Sequence, residues 1–127
     1  MTIKSDLGKR GEDFACEYLI DKGYKVIDRN YRKPWGEIDI IARALDKTLV
    51  FVEVKTMKES FGGLAPEDQV SKSKLIKTQR AASLYAGHYP EKVDDEKGWR
   101  IDLLAICIND YSANNEDCAV KHYENIG

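Results

Sequence analysis

The 127-residue chain reads as an α/β domain: a mixed central β-sheet flanked by helices, in the order α, β, β, β, α, β. Three observations predict this. Two segments rich in β-branched residues, EIDIIAR and TLVFVEVKT, flank a short loop. Helical periodicity lies on either side of that pair, and a near-continuous apolar run, WRIDLLAICI, follows the second helix. A chain of this length suits one domain, residues 1–127, with a core over about 5–110 and a tail or edge strand at 117–127.

The first helix opens at Ser5 or Asp6, either of which can cap it. Leu7, Gly11, Phe14, Ala15, Tyr18 and Leu19 share one face, and Gly23 stops the helix after Lys22. At about 100° per residue, Glu12 falls on the edge of the buried face while Asp13 points away. Tyr24 to Tyr31 alternates as a strand, which RKPWG interrupts through Pro34 and Gly36. EIDIIAR and TLVFVEVKT then pair as an antiparallel hairpin around Leu45 to Lys47. MKESFGGLAPED, with Gly62, Gly63 and Pro66, reads as a mobile loop at the rim of the site. Ser71 caps a second helix to about Ala86, with Leu75, Gln79, Ala82 and Tyr85 or Ala86 on one face and Gly87 at its end. DDEKG turns into WRIDLLAICI, whose unbroken apolar character suits a strand in the middle of a sheet. A right-handed crossover through the second helix makes that strand parallel to the one carrying Glu53. AVKHYENI reads as a last edge strand.

Composition removes several classes of function. Hydrophobic residues at 43% and charged residues at 33% are ordinary for a globular domain, and no apolar run approaches the roughly 20 residues of a membrane span. MTIKSDLGKRGED lacks the apolar stretch of a secretory signal, so the expected location is the cytoplasm. Cys16, Cys107 and Cys118 are odd in number and show no CxxC spacing, which argues against a disulfide framework or a thiolate zinc site. His88 and His122 have no second soft ligand in spacing and are given no catalytic role. A metal here would be held by oxygen, which favours magnesium or manganese. The net charge of −2 is unevenly spread: residues 1–33 and 55–80 are net basic, whereas 91–127 carry nine acidic against four basic side chains. Such basic stretches suit nucleic acid, and solvated helix faces account for them equally well.

The hairpin holds the residues of greatest chemical interest. Strand periodicity puts Glu37 and Asp39 on one face of its first strand and Glu53 and Lys55 on one face of its second, with Ile38, Ile40, Val52 and Val54 facing the opposite way. With the loop at 45–47, positions whose numbers add to 92 lie opposite, so Asp39 faces Glu53 and Glu37 faces Lys55. Opposed side chains sit about 4.5–5.5 Å apart. At an effective dielectric of about 20, two carboxylates at that range repel by roughly 3–4 kcal/mol. A cation or a raised pKa must compensate. Lys55 supplies part of the cation, and a divalent ion held by the two acids and a carbonyl such as that of Val54 would supply the rest. Such an ion polarises a phosphodiester and acidifies a bound water, which Lys55 can position or whose phosphate charge it can hold. Glu12 could serve a second ion or accept a proton. Taken alone, Glu-x-Lys on a strand is more often a salt-bridged surface.

GKRGEDFACEYLIDKGYKV, GEIDIIA, LVFVEVKT and WRIDLLAI, in this order and spanning Lys9 to Ile108, resemble the bacterial YraN-like family. The resemblance implies a place in the PD-(D/E)xK nuclease superfamily near the Holliday junction resolvases, and with it a restriction-endonuclease-like core. Motif by motif it implies Asp39 and Glu53 as metal carboxylates, Lys55 as the superfamily lysine, Glu12 as a helix-borne acid and Lys74 as a basic position of the family. The function it implies is a magnesium- or manganese-dependent endonuclease hydrolysing DNA, with branched DNA as a candidate substrate and a two-fold homodimer as the assembly of resolvase-like relatives. Lys9, Arg10, Lys72, Lys74, Lys77 and Arg80 are the candidate phosphate contacts. Family members tend to be basic, whereas this chain is slightly acidic, which implies weaker or partner-assisted binding. Two other readings compete: a nucleic-acid-binding module with the nuclease fold but no useful catalysis, and a scaffold whose hairpin face is only a salt-bridged surface. Trp35 and Tyr31 can stack on bases, although packing of their connection is the better reading. For Asp102, a hydrogen-bonded sheet residue weighs at least as much as a site role, and Glu37 is expected to pair with Lys55.

Overall fold

The computed structural model describes residues 6–57, 70–108 and 118–127. Its elements follow as α1 (Asp6–Asp21), β1 (Lys25–Lys33), β2 (Gly36–Arg43), β3 (Leu49–Met57), α2 (Lys72–His88), a 3-10 turn (Pro90–Lys92), β4 (Trp99–Ile108) and β5 (Cys118–Tyr123). The strands form one sheet in the order β1-β2-β3-β4-β5. β1, β2 and β3 pair antiparallel in succession, β4 runs parallel to β3, and β5 closes the far edge antiparallel to β4. This mixed α/β architecture is consistent with the restriction-endonuclease-like core. The MKESFGGLAPED loop expected at the rim of the site lies, apart from Met57, outside the described residues. No helix among the described residues is long and apolar enough to cross a membrane.

Each face of the sheet has its own helix. Ala15, Cys16 and Leu19 of α1 pack on Ile40, Ala42, Val50, Val52, Leu104 and Ile106. Ala81, Ala82 and Tyr85 of α2 pack with Tyr31, Ile38, Ile41, Leu49, Phe51 and Ile101 on the other side. Alternation along β3 divides Val50 and Val52 from Leu49, Phe51 and Glu53, so the carboxylate of interest lies on the α2 face. Gly11 lets α1 come close to the sheet, because a Cβ there would collide with the Thr56 side chain. α1 ends as its spacing requires: Gly23 adopts φ +93°, and the Tyr24 amide donates to the Leu19 carbonyl at 2.9 Å. Ser71 caps α2, accepting from the Lys74 amide at 3.1 Å. Cys16 and Cys107 are buried.

Three details differ from the sequence expectation. β1 continues to Lys33, which pairs with Gly36, so the break is confined to a tight turn at Pro34 and Trp35. Ile38 does not share a face with Ile40; it packs beside Tyr31 against α2, whereas Ile40 lies under α1. The cause is Asn30, whose φ of +52° kinks β1 between the pairs Arg29–Ile40 and Tyr31–Ile38. The buried stripe of α2 is also turned: Thr78 and Ala81 join Ala82 and Tyr85, while Gln79 is only half-buried.

Candidate functional site

The hairpin register is the expected one where it is paired, with Ile40 opposite Val52, Ala42 opposite Val50 and Arg43 opposite Leu49. Past Ile40 the main-chain ladder gives way. The Val54 amide donates to the Asp39 carboxylate at 2.9 Å, so a side chain takes the place of a strand carbonyl. Asp39, Glu53, Lys55 and Lys74 then line one cavity of about 540 Å³, together with Ser71 and Leu103. Glu53 is 5% exposed and Asp39 half-buried, while Lys55 is exposed on the wall.

Glu53 is the electrostatic centre of this cavity. Burial, reinforced by the charge of Asp39, pushes its carboxyl up to about 8, and the Lys74 ammonium and Thr78 hydroxyl oppose that rise only in part. Lys74 Nζ stands 3.8 Å from Glu53 Oε2 and 3.8 Å from Glu37 Oε1. Thr78 Oγ1 is 3.2 Å from Glu53 Oε1 and 3.0 Å from the Lys74 carbonyl. One hydroxyl proton serves one acceptor at a time. When Glu53 is protonated it can donate to Thr78, which then donates to the helix carbonyl; when ionised it takes the Thr78 proton itself.

Lys55 does not pair with Glu37. Glu37 binds Arg32, its register partner on β1, and reaches Lys74 of α2. Lys55 forms no ion pair with a carboxylate among the described residues, which leaves its ammonium charge at the cavity wall. Glu12, 2% exposed, is absent from the cavity lining; its Oε1 accepts from Arg29 at 3.4 Å. Lys72, Lys77 and Arg80 are exposed on α2, and Lys9 with half-buried Arg10 on α1, so the two basic sets belong to helices on opposite faces of the sheet. Thr78 and the direct contact of Lys74 with Glu53 escaped the sequence reading. The row Lys74, Thr78, Ala81, Tyr85, at spacings of four, three and four residues, carried the signal.

A second polar cluster serves the fold. Asp102, fully buried, accepts from Arg100 Nε at 2.9 Å and the Asn125 amide at 2.9 Å, and lies 2.8 Å from His122 Nε2. Burial would raise its carboxyl, but the bonds from His122, Arg100 and Asn125 and the Arg100 charge prevail and hold it below the ordinary range. Asp102, His122 and Glu124 offer ligand atoms within 4.8 Å of one another. The Arg100 guanidinium already spans Asp102 and Glu124, at 2.9 and 2.8 Å, and supplies the positive charge an ion would bring. The cluster cross-links β4 to the segment after β5.

A model of the uncharacterised protein family UPF0102 matches residues 11–106. The chain is 42% identical over 111 residues to a UPF0102 protein of Chlorobium phaeobacteroides, covering 87% of this chain and 83% of that protein. It is 38% identical over 121 residues to a UPF0102 protein of Thermodesulfovibrio yellowstonii, covering 94% of each. With a UPF0102 protein of Prosthecochloris aestuarii the identity is 43% over 112 residues, 86% of this chain and 82% of the other.

Proposed function

This chain belongs to the UPF0102 (YraN-like) family, and on that premise we propose that it is a metal-dependent endonuclease of the PD-(D/E)xK type, hydrolysing DNA phosphodiester bonds, with branched DNA as the candidate substrate. One observation carries the reading: a buried carboxylate is set against a second acid in a solvent-open cavity whose walls also hold two lysines. Burying an ionised Glu53 beside Asp39 opposes folding; a raised pKa and the Lys74 ammonium relieve this in part, and a divalent ion would relieve it further.

The donor set fits a hard divalent ion. Asp39 and Glu53 would hold magnesium or manganese through oxygen, with the Val54 main chain at the cavity wall. Bound there, the ion supplies Lewis acidity toward the phosphate and a more acidic water. Glu53 must ionise to act as a ligand, and Lys74 and Thr78 stabilise that form. Lys55, at the cavity wall with no carboxylate partner among the described residues, would orient the attacking water or hold charge developing on the phosphate. The exposed cations of α2 adjoin the cavity through Lys74 and would take the flanking phosphates. Glu12, bonded to Arg29 and outside the cavity lining, would act as an auxiliary acid only at one remove from the ion.

Purified protein incubated with magnesium or manganese should cut or nick members of a panel of linear, flap, single-stranded and four-way DNA. Lys55→Ala and Asp39→Asn should each lower the rate by about a hundredfold or more. Cleavage that survives both substitutions refutes the assignment, and binding without cleavage in either metal favours the catalytically silent module.

A further inference from the structure

Aromatic rings gather where the C-terminal end of α2 meets β1, an edge strand of the sheet. Tyr31 and Tyr85 form the floor, buried and packed edge to face with centroids 5.2 Å apart. Tyr89 leans on Tyr85 at 4.8 Å and leaves 39% of its surface exposed. Beside it, Trp35 stacks on His88 at 6.3 Å with 24° between the planes, and the His88 ring is 6.4 Å from Tyr89. A cleft of about 320 Å³ opens over this floor, lined also by Arg32, Lys33 and Lys92. That volume lies at the small end of the roughly 300–1,000 Å³ of ligand sites and suits a single nucleotide unit.

The cations here are unusual in their partners. Lys33 Nζ lies over the Tyr31 ring at 5.7 Å and Lys92 Nζ over the Tyr89 ring at 5.5 Å, and neither forms an ion pair with a described carboxylate. An ammonium on a ring face remains available to an anion, because exposed cation–π contacts are weak. Asp28 in the lining, one oxygen of which accepts from the Arg29 amide, is an acceptor suited to a base N–H such as that of thymine N3, and it disfavours a phosphate at its own end of the cleft. A chain of ion pairs runs from the cleft to the acidic cavity. Arg32 pairs with Glu37, Glu37 is 3.8 Å from Lys74, and Lys74 is 3.8 Å from Glu53.

We infer that this cleft is a subsite for one nucleotide of a single-stranded segment flanking the bond cut in the acidic cavity. Tyr89 offers its ring to the base as the Lys92 ammonium swings off the ring face to an adjoining phosphate, and Lys33 offers its charge to another. Bases in a duplex have both faces covered by their neighbours, so an exposed ring beside cations selects unpaired or splayed nucleotides. The inference rests on the nucleic-acid reading above and adds the substrate class: DNA with an unpaired segment next to the cut.

The test measures binding in chelating buffer, so it does not depend on catalysis. Labelled oligothymidylate and a blunt duplex of equal length are titrated by fluorescence anisotropy against wild type, Tyr89→Phe, Tyr89→Ala and the pair Lys33→Glu with Lys92→Glu, and thermal melting verifies that each variant folds. Tyr89→Ala should weaken oligothymidylate binding by about tenfold and Tyr89→Phe by little, with duplex binding nearly unchanged. The double charge reversal should weaken oligothymidylate binding and flatten its salt dependence. Wild-type affinity for oligothymidylate in both Tyr89→Ala and the double variant, or an equal loss on the duplex, overturns the subsite and leaves the nuclease reading standing. Failure of the wild-type protein to bind either nucleic acid overturns both.

Discussion

Glu53→Gln replaces a carboxyl that the fold holds at about 8 by a neutral group of the same size. An acid whose folded pKa lies above its ordinary 4.5 binds more protons in the native state than in the unfolded state. Its effect on stability is therefore absent below 4.5 and becomes increasingly unfavourable as pH rises toward about 8, after which it is constant. The interval amounts to at most about 5 kcal/mol at roughly 1.4 kcal/mol per tenfold, and about 2–4 kcal/mol once Lys74 and Asp39 rearrange around the new charge. For a domain of this size that is on the order of 10 °C in melting temperature. In chelating buffer the glutamine variant should match wild type near pH 5 and exceed it near pH 9, because groups remote from the cavity titrate alike in both and cancel, leaving Glu53 and the partners coupled to it. At pH 7 wild-type Glu53 keeps its proton, so manganese uptake should release close to one proton, read by calorimetry in buffers of different ionisation enthalpy. Melting curves that stay parallel from pH 5 to 9 would refute the account of Glu53.

Two further outcomes follow from the same geometry. Thr78→Val keeps the shape of the residue but removes the hydroxyl beside Glu53 Oε1, and should weaken manganese binding by about tenfold, measured as metal-dependent thermal stabilisation. Asp102→Ala removes the shared acceptor of part-buried Arg100 and His122 and should cost about 2–3 kcal/mol in urea denaturation, Arg100 keeping Glu124 and Tyr24. Because the Asp102 pKa is held below its ordinary 3.8, its stabilisation is present above that value and is lost as pH falls through the lower native one, so wild type but not the variant should show this acid-dependent decline.

The hairpin is legible because β-branched strands joined by a short loop leave little freedom of register, and Asp39 and Glu53, one residue past the last pair, line the same cavity. The parallel placement of β4 followed from chain connectivity and an apolar composition. What escaped was whatever depends on how the layers dock. The face of Ile38 was misjudged because a single left-handed residue, Asn30, lies on the neighbouring strand and leaves no mark on β2 itself. Thr78 was passed over because helical spacing admits two adjacent stripes on α2, and only contact with the sheet selects between them. Glu37 was assigned to Lys55 on the assumption of an unbroken ladder, and the ladder stops one residue short of the acids.

The bond from the Val54 amide to Asp39 gives position 39 a duty that has nothing to do with chemistry on a substrate. A residue there must furnish an oxygen at the length of one methylene, or the amide of the neighbouring strand is left an orphan donor. Asparagine meets that demand without the negative charge; alanine does not. Only the amide replacement separates electrostatics from strand architecture, and a dead alanine mutant would speak to both at once.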